Sequence, residues 1–219
     1  MSTRIDRRFA ELRARGKKGF VAYVTAGDPS LRDTEHIVLA LEDAGVDIVE
    51  LGIPFSDPLA DGRVNQESAA RALTGGATLP GVLEMVARLR RRTEVPILCY
   101  TYMNPIHAMG AARVVREAKA AGVDGLLFLD LPVEEADAYV QVLRQHDVNY
   151  ITLVTPTTPA ARIARIVRAA TGFVYCVSRE GVTGMQKKLA PQAVELIKRT
   201  RRLTALPVGS PPQPLFLTR

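Results

Sequence analysis

The stretch Ala44-Gly45-Val46-Asp47-Ile48-Val49-Glu50-Leu51-Gly52 ends a helical pattern, turns on a glycine and enters an apolar strand, and its first four residues return as Ala121-Gly122-Val123-Asp124. Glycine just past a helix takes the left-handed conformation at no Cβ cost, so both copies read as helix end, turn, strand start. Such a repeat belongs to a chain built from strand-helix units, in a barrel or a doubly wound sheet.

Working outward, nearly all-apolar runs fall at 20–25, 46–52, 95–101, 125–130, 150–154 and 173–177. These are expected to be parallel strands, buried on both faces. Helical periodicity lies between them, at 31–44, 79–91, 111–121, 133–146, 160–169 and 190–201. No glycine-rich dinucleotide fingerprint follows the first strand, which favours the barrel over a Rossmann sheet. The expectation is α/β, a (β/α)8 TIM-barrel type that is incomplete, with six clear units and the last two missing. Residues 1–208 would be the barrel domain. A seventh strand could start at Leu206-Pro207-Val208, but 209–219 contains three prolines and shows no periodicity, so it reads as an irregular tail. The abrupt change at Ser210-Pro211-Pro212 has the look of a truncated or frameshifted reading frame. An open barrel of six units would expose the edges of its first and sixth strands and invite association or rescue by a partner.

Composition narrows the function classes. The chain has 219 residues, 47% of them hydrophobic, enough for one sizeable core. No apolar run approaches the roughly 20 residues of a membrane span, and no secretory pattern opens the chain, so the expectation is a soluble, cytoplasmic protein. The net charge of +6 comes largely from clusters at 88–92 and 198–202, at helix ends, with neither aromatics nor a motif for nucleic acid. Cys99 and Cys176 sit in strands and read as buried free thiols. His36, His107 and His146 are scattered without ligand spacing, so no metal site is expected.

Alternation on the second strand places Ile48, Glu50 and Gly52 on one face and Val49 and Leu51 on the other. If Val49 and Leu51 meet the helices, Glu50 points into the barrel. There desolvation would raise its pKa into the range of a general acid and base, unless an ion pair makes it a purely structural glutamate. The loop that follows, Ile53-Pro54-Phe55-Ser56-Asp57-Pro58-Leu59-Ala60-Asp61-Gly62, lies at the C-terminal end of the strand, where barrel enzymes keep their chemistry. Asp61 can converge there with Glu50.

The run VELGIPFSDPLADG at 49–62 resembles the signature of the tryptophan synthase α subunit. FVAYVTAGDP at 20–29, YMNPI at 102–106, DLPVEEA at 130–136 and SREGVTG at 178–184 agree with it. The resemblance implies a lyase of tryptophan biosynthesis that cleaves the small phosphorylated indole substrate indole-3-glycerol phosphate to indole and glyceraldehyde 3-phosphate, with no cofactor in this subunit. It implies Glu50 as the proton shuttle and Asp61 as the stabiliser of charge at the indole nitrogen. It further implies Tyr23, Tyr102 and Tyr175 near the substrate, Thr183 orienting Asp61 from a mobile flap, and Gly184 offering its N–H to the phosphate. A tryptophan synthase β subunit would be the partner in a hetero-tetramer, met through Asp57, Pro132 and the loop after the third strand. The sequence departs from the family at Arg63 and Asn65, where apolar residues would line the indole wall. Tyr100 and Leu129 could narrow the cavity. The alternative implied by the missing C-terminal units is an inactive or weakly active remnant that still binds the β subunit. A different phosphosugar barrel enzyme is disfavoured by the 50–62 signature.

Overall fold

The computed structural model describes residues 2–177 and 191–209, plus the backbone of Leu215–Leu217. The two repeated junctions fold as expected. Gly45 and Gly122 have φ of +88° and +92°, and each releases the chain from a helix, α2 (Leu31–Asp43) or α6 (Ala111–Ala121), into a strand, β2 (Ile48–Gly52) or β4 (Gly125–Phe128). The aspartate of each junction then reaches sideways. Asp47 accepts the backbone N–H of Phe20 at 2.6 Å in β1 (Gly19–Thr25), and Asp124 accepts that of Ile97 at 3.0 Å in β3 (Ile97–Thr101). Each copy therefore ties the start of its strand to the strand before it. A third copy is concealed at His146-Asp147-Val148-Asn149. There Asp147 takes φ +50° in the glycine position, a conformation that aspartate tolerates better than most residues, and Asn149 opens β5 (Asn149–Val154).

Strands β1 to β5 pair in parallel in chain order, followed by β6 (Val174–Cys176) and β7 (Val208–Gly209). Helices α4 (Leu79–Leu89), α7 (Asp137–Gln145), α8 (Ala160–Ala169) and α9 (Pro191–Arg201) lie among the connections, as expected of a TIM-type barrel. Val49, Leu51, Ile97 and Cys99 pack outward against the helices. Ile48, Leu98, Leu127, Ile151, Phe173 and Tyr175 fill the interior.

Helix α1 (Arg4–Ala14) lies across the N-terminal end of the barrel. Its Ile5, Phe9 and Leu12 join the interior cluster, and its polar face meets the junction residues. Arg4 pairs with Asp124 at 3.2 Å, Arg8 with Asp47 at 2.6 Å, and Thr3 donates to Asn149. Asp124 also accepts Arg90 at 2.9 Å and is 4% exposed, so this buried charge has two cations and the backbone N–H groups of Ile97 and Arg4. Such pairs are costly to form and costlier to break on one side.

Several expectations need correction. The tail read as irregular contains β8 (Leu215–Leu217), which pairs antiparallel with β1, Gly19 facing Leu217 and Val21 facing Leu215. The seventh strand is present in two residues as β7. The edges expected to be bare, those of the first and sixth strands, are therefore covered by β8 and β7, and these two end strands lie beside each other. The pattern at 133–146 becomes a helix only at Asp137, because Glu135 and Ala136 turn back onto the carbonyls of Pro132 and Val133. Two further helices follow the strands that carry the acidic loop and the YMNPI motif: α3 (Arg63–Thr74) and α5 (Met103–Met109).

Candidate active site

Glu50 is the centre residue of β2, in register with Tyr23 of β1 and Leu98 of β3. Its neighbours Val49 and Leu51 face the helices, so Glu50 faces the barrel interior, where it is 5% exposed. Tyr175 donates to Glu50 Oε2 at 3.2 Å, while Oε1 has no partner among the described residues. Burial is the main cause that pushes the carboxyl up to about 8, against the lowering effect of the Tyr175 bond and with a further push from the charge of Asp61. No cation among the described residues is among these causes, so none of them forms the structural ion pair that the sequence left open.

The loop after β2 brings Asp61 over the same space. Asp61 N–H closes a turn onto Pro58 O at 3.0 Å, and α3 starts at once from Gly62. Two phenols grip the carboxylate: Tyr100 donates to Oδ1 at 3.1 Å and Tyr102 to Oδ2 at 2.8 Å. The Tyr102 oxygen also accepts Ala60 N–H at 3.0 Å, which fastens the loop itself, and its ring packs on Phe55 with centroids 5.2 Å apart. Burial is the largest cause raising the Tyr23 and Tyr100 hydroxyls, and the charges of both Asp61 and Glu50 add to it. The two carboxylates thus act on the same two phenols. Tyr23 lies edge-on to Tyr100, centroids 5.4 Å apart, and sits tight against Gly52, where an added Cβ would come within 2.1 Å of the Tyr23 oxygen. Gly52 is needed for this close approach.

The departures at 63 and 65 resolve in opposite directions. Arg63 turns outward, 87% exposed, onto Glu67 at 2.7 Å. Asn65 turns inward and extends Nδ2 toward Asp61 Oδ1 at 3.4 Å. Leu129 packs against the interior cluster together with Tyr100. Asp57 and Pro132 are exposed on loops that follow β2 and β4, and Leu59 beside Asp57 is 84% exposed. Thr183 and Gly184, with the rest of the expected flap, lie outside the described residues. Sequence reasoning noted Tyr100 and Asn65 only as wall residues. The alternation of β3, which sets Leu98, Tyr100 and Tyr102 on one face, was the signal that could have drawn Tyr100 to the acids.

Residues 9–210 match the profile of the family described as "Tryptophan synthase alpha chain". The chain belongs to the tryptophan synthase alpha chain family. It is 50% identical to the tryptophan synthase alpha chain of Opitutus terrae over 206 residues, covering 94% of this chain and 77% of that one, and 48% identical to that of a Geobacter species over the same shares. Among solved structures, it superposes on Mycobacterium tuberculosis tryptophan synthase with a TM-score of 0.88 at 32% identity, covering 95% of this chain and 79% of that one. It matches the tryptophan synthase a2b2 complex from Pyrococcus furiosus with a TM-score of 0.82 at 40% identity, covering 88% and 77%. Tryptophan synthase alpha chains are lyases of tryptophan biosynthesis, which fits a site made of two carboxylates and several phenols. Among the described residues no group of three or more His, Cys, Asp or Glu stands together as a metal cage. No helix among them is long and apolar enough to cross a membrane.

Proposed function

We propose that this chain cleaves indole-3-glycerol phosphate to indole and glyceraldehyde 3-phosphate, with Glu50 as the general acid and base and Asp61 as the electrostatic partner. One observation carries the assignment: a barrel-facing glutamate, 5% exposed, that has, among the described residues, no cation beside it and one carboxyl oxygen unpartnered. At neutral pH a carboxyl pushed up to about 8 is mostly protonated and can give a proton to the indole ring carbon that bears the side chain. Positive charge then develops at the ring nitrogen, and Asp61, held by Tyr100 and Tyr102, stabilises it. The Glu50 carboxylate takes the proton of the side-chain hydroxyl as the carbon–carbon bond breaks, which releases the aldehyde and indole and restores the neutral acid. Two carboxyl groups in unlike surroundings thereby take unlike roles.

Tyr23 and Tyr175 form walls of the pocket in this reading, and Tyr102 acts mainly through Asp61. Thr183 and Gly184 are proposed for the lid and the phosphate end of the substrate. Asp57, Pro132 and the exposed Leu59 are proposed as contacts for a tryptophan synthase β subunit, in a hetero-tetramer of the kind known for Pyrococcus furiosus. The family's chemistry and the unpaired, buried thiols of Cys99 and Cys176, pushed up to about 12 and about 11, support a cytoplasmic location. The alternative of an inert remnant is not favoured, because both carboxylates and their holders are in place.

Indole release from indole-3-glycerol phosphate, measured with β subunit present, tests the reading. Asp61→Asn is expected to lower kcat by roughly 100- to 1,000-fold, the usual loss for one preorganised electrostatic group. Wild-type turnover in that variant would sink it.

A further inference from the structure

Asp61 is the one acid of the pair that does not sit on a strand, and a loop carboxylate must be held if it is to meet a developing charge. The holding comes largely from a single strand. Tyr100 lies in β3 and Tyr102 follows its end, still extended as the N-cap of α5, so the two phenols, two residues apart, leave on the same side, and each takes a different oxygen of the same carboxylate, at 3.1 Å and 2.8 Å. Tyr102 sits at the strand end and also fastens the loop backbone at Ala60. Tyr100 has no such second task. It is inside β3, opposite Gly52 in register, and its ring is braced edge-on by Tyr23. Its hydroxyl has Asp61 Oδ1 as its partner, on the oxygen that Asn65 also approaches at 3.4 Å.

We propose that Tyr100 is a positioning residue for the lyase reaction: its phenol O–H fixes the Asp61 carboxylate so that the remaining acceptor site, on Oδ2, is presented to the N–H of the indole ring. The assignment rests on the reading of Asp61 given above. A carboxylate offers about four lone-pair sites. Among the described residues, Tyr100 and Asn65 approach Oδ1 and Tyr102 takes one site of Oδ2, which leaves one acceptor site of Oδ2 untaken by them. With the Tyr100 hydroxyl removed, the carboxylate is free to rotate about its Cβ–Cγ bond, and the open acceptor is no longer fixed when charge develops. Binding of the ring needs only a wall at this position, so the loss falls on turnover rather than on affinity.

The experiment compares Tyr100→Phe, which keeps the ring and removes only the hydroxyl, with Tyr100→Leu, which removes both. Each is made in the wild-type and Asp61→Asn backgrounds, and indole release is followed with β subunit present. The expected result is a kcat lower by roughly 10-fold in Tyr100→Phe and by a similar factor in Tyr100→Leu, with KM within about 3-fold of wild type. In the Asp61→Asn background Tyr100→Phe is expected to lower kcat no further, because the hydroxyl acts through that carboxylate. Wild-type kcat in Tyr100→Phe beside a loss in Tyr100→Leu would show a packing role and overturn the proposal. So would a change confined to KM, or an equal loss in both backgrounds. If Asp61→Asn itself keeps wild-type turnover, the reading of Asp61 fails, and that result is distinct from a failure of Tyr100 alone.

Discussion

Glu50→Gln should reverse the order of stability between variant and parent as pH rises. The carboxyl has an ordinary value of 4.5 and is pushed up to about 8 in the fold, chiefly by burial. Below 4.5 it is neutral in the folded and unfolded chains alike and costs nothing. Between 4.5 and about 8 the unfolded chain is ionised and the folded chain is not, so folding takes up a proton. The cost grows by roughly 1.4 kcal/mol per pH unit and levels off above about 8 at about 5 kcal/mol. Glutamine escapes this cost because it never ionises. Its amide can still accept from Tyr175, but its NH2 would fall where Glu50 Oε1 finds no partner, a penalty of about 1–3 kcal/mol at every pH. The variant should therefore be about as stable as the parent, or slightly less so, near about pH 5.5, and more stable by about 2–4 kcal/mol near about pH 8.5. Urea unfolding of both proteins across that range measures the difference. A difference independent of pH, or a parent that gains on the variant as pH rises, would refute the account of Glu50 as an unpaired buried acid. Loss of turnover alongside the gain in stability would mark a group that is kept at a cost to the fold for its chemistry.

Asp124→Ala should destabilise the fold by about 3–5 kcal/mol, because it leaves Arg90 and Arg4 without their shared carboxylate and Ile97 N–H without an acceptor. Chemical denaturation checks it, and a loss under about 1 kcal/mol would mean that solvent replaces the carboxylate at little cost. Removing residues 210–219 should uncover the outer edge of β1, which now pairs with β8, and promote self-association. Sedimentation velocity on the shortened and full chains reads it directly, and an unchanged distribution would show that the edge is harmless when bare.

Much of the barrel was legible because its signals are local. The Ala-Gly-Val-Asp junctions announce themselves through glycines at positive φ, and Ile48, Glu50 and Gly52 separate from Val49 and Leu51 by simple alternation. The third junction escaped because Asp147 stands in for the glycine and Asn149 for the aspartate, which changes every polar letter of the pattern while keeping its geometry. Helix α3 escaped because Gly62 gives it no side-chain cap, and its buried face of Ser68, Ala69 and Ala72 is barely apolar. Helix α5 has only seven residues and contains a proline, too little to show a period. Strand β8 has no period of its own to show, since three residues become a strand only by docking on the edge of β1. At the site, Glu50 and Asp61 could be named from sequence. The grip of Tyr100 and Asn65 on Asp61 could not, because it depends on how far a loop leans over a neighbouring strand.

Helix α1 carries one more consequence. With Ile5, Phe9 and Leu12 driven into one end of the barrel and Arg4 and Arg8 anchoring them, that end is stoppered. The opposite end of the barrel carries the loops after β2 and β4, with Asp57, Leu59 and Pro132 exposed on them. A protein seated on those loops would stand over the one end of the barrel that α1 leaves unblocked.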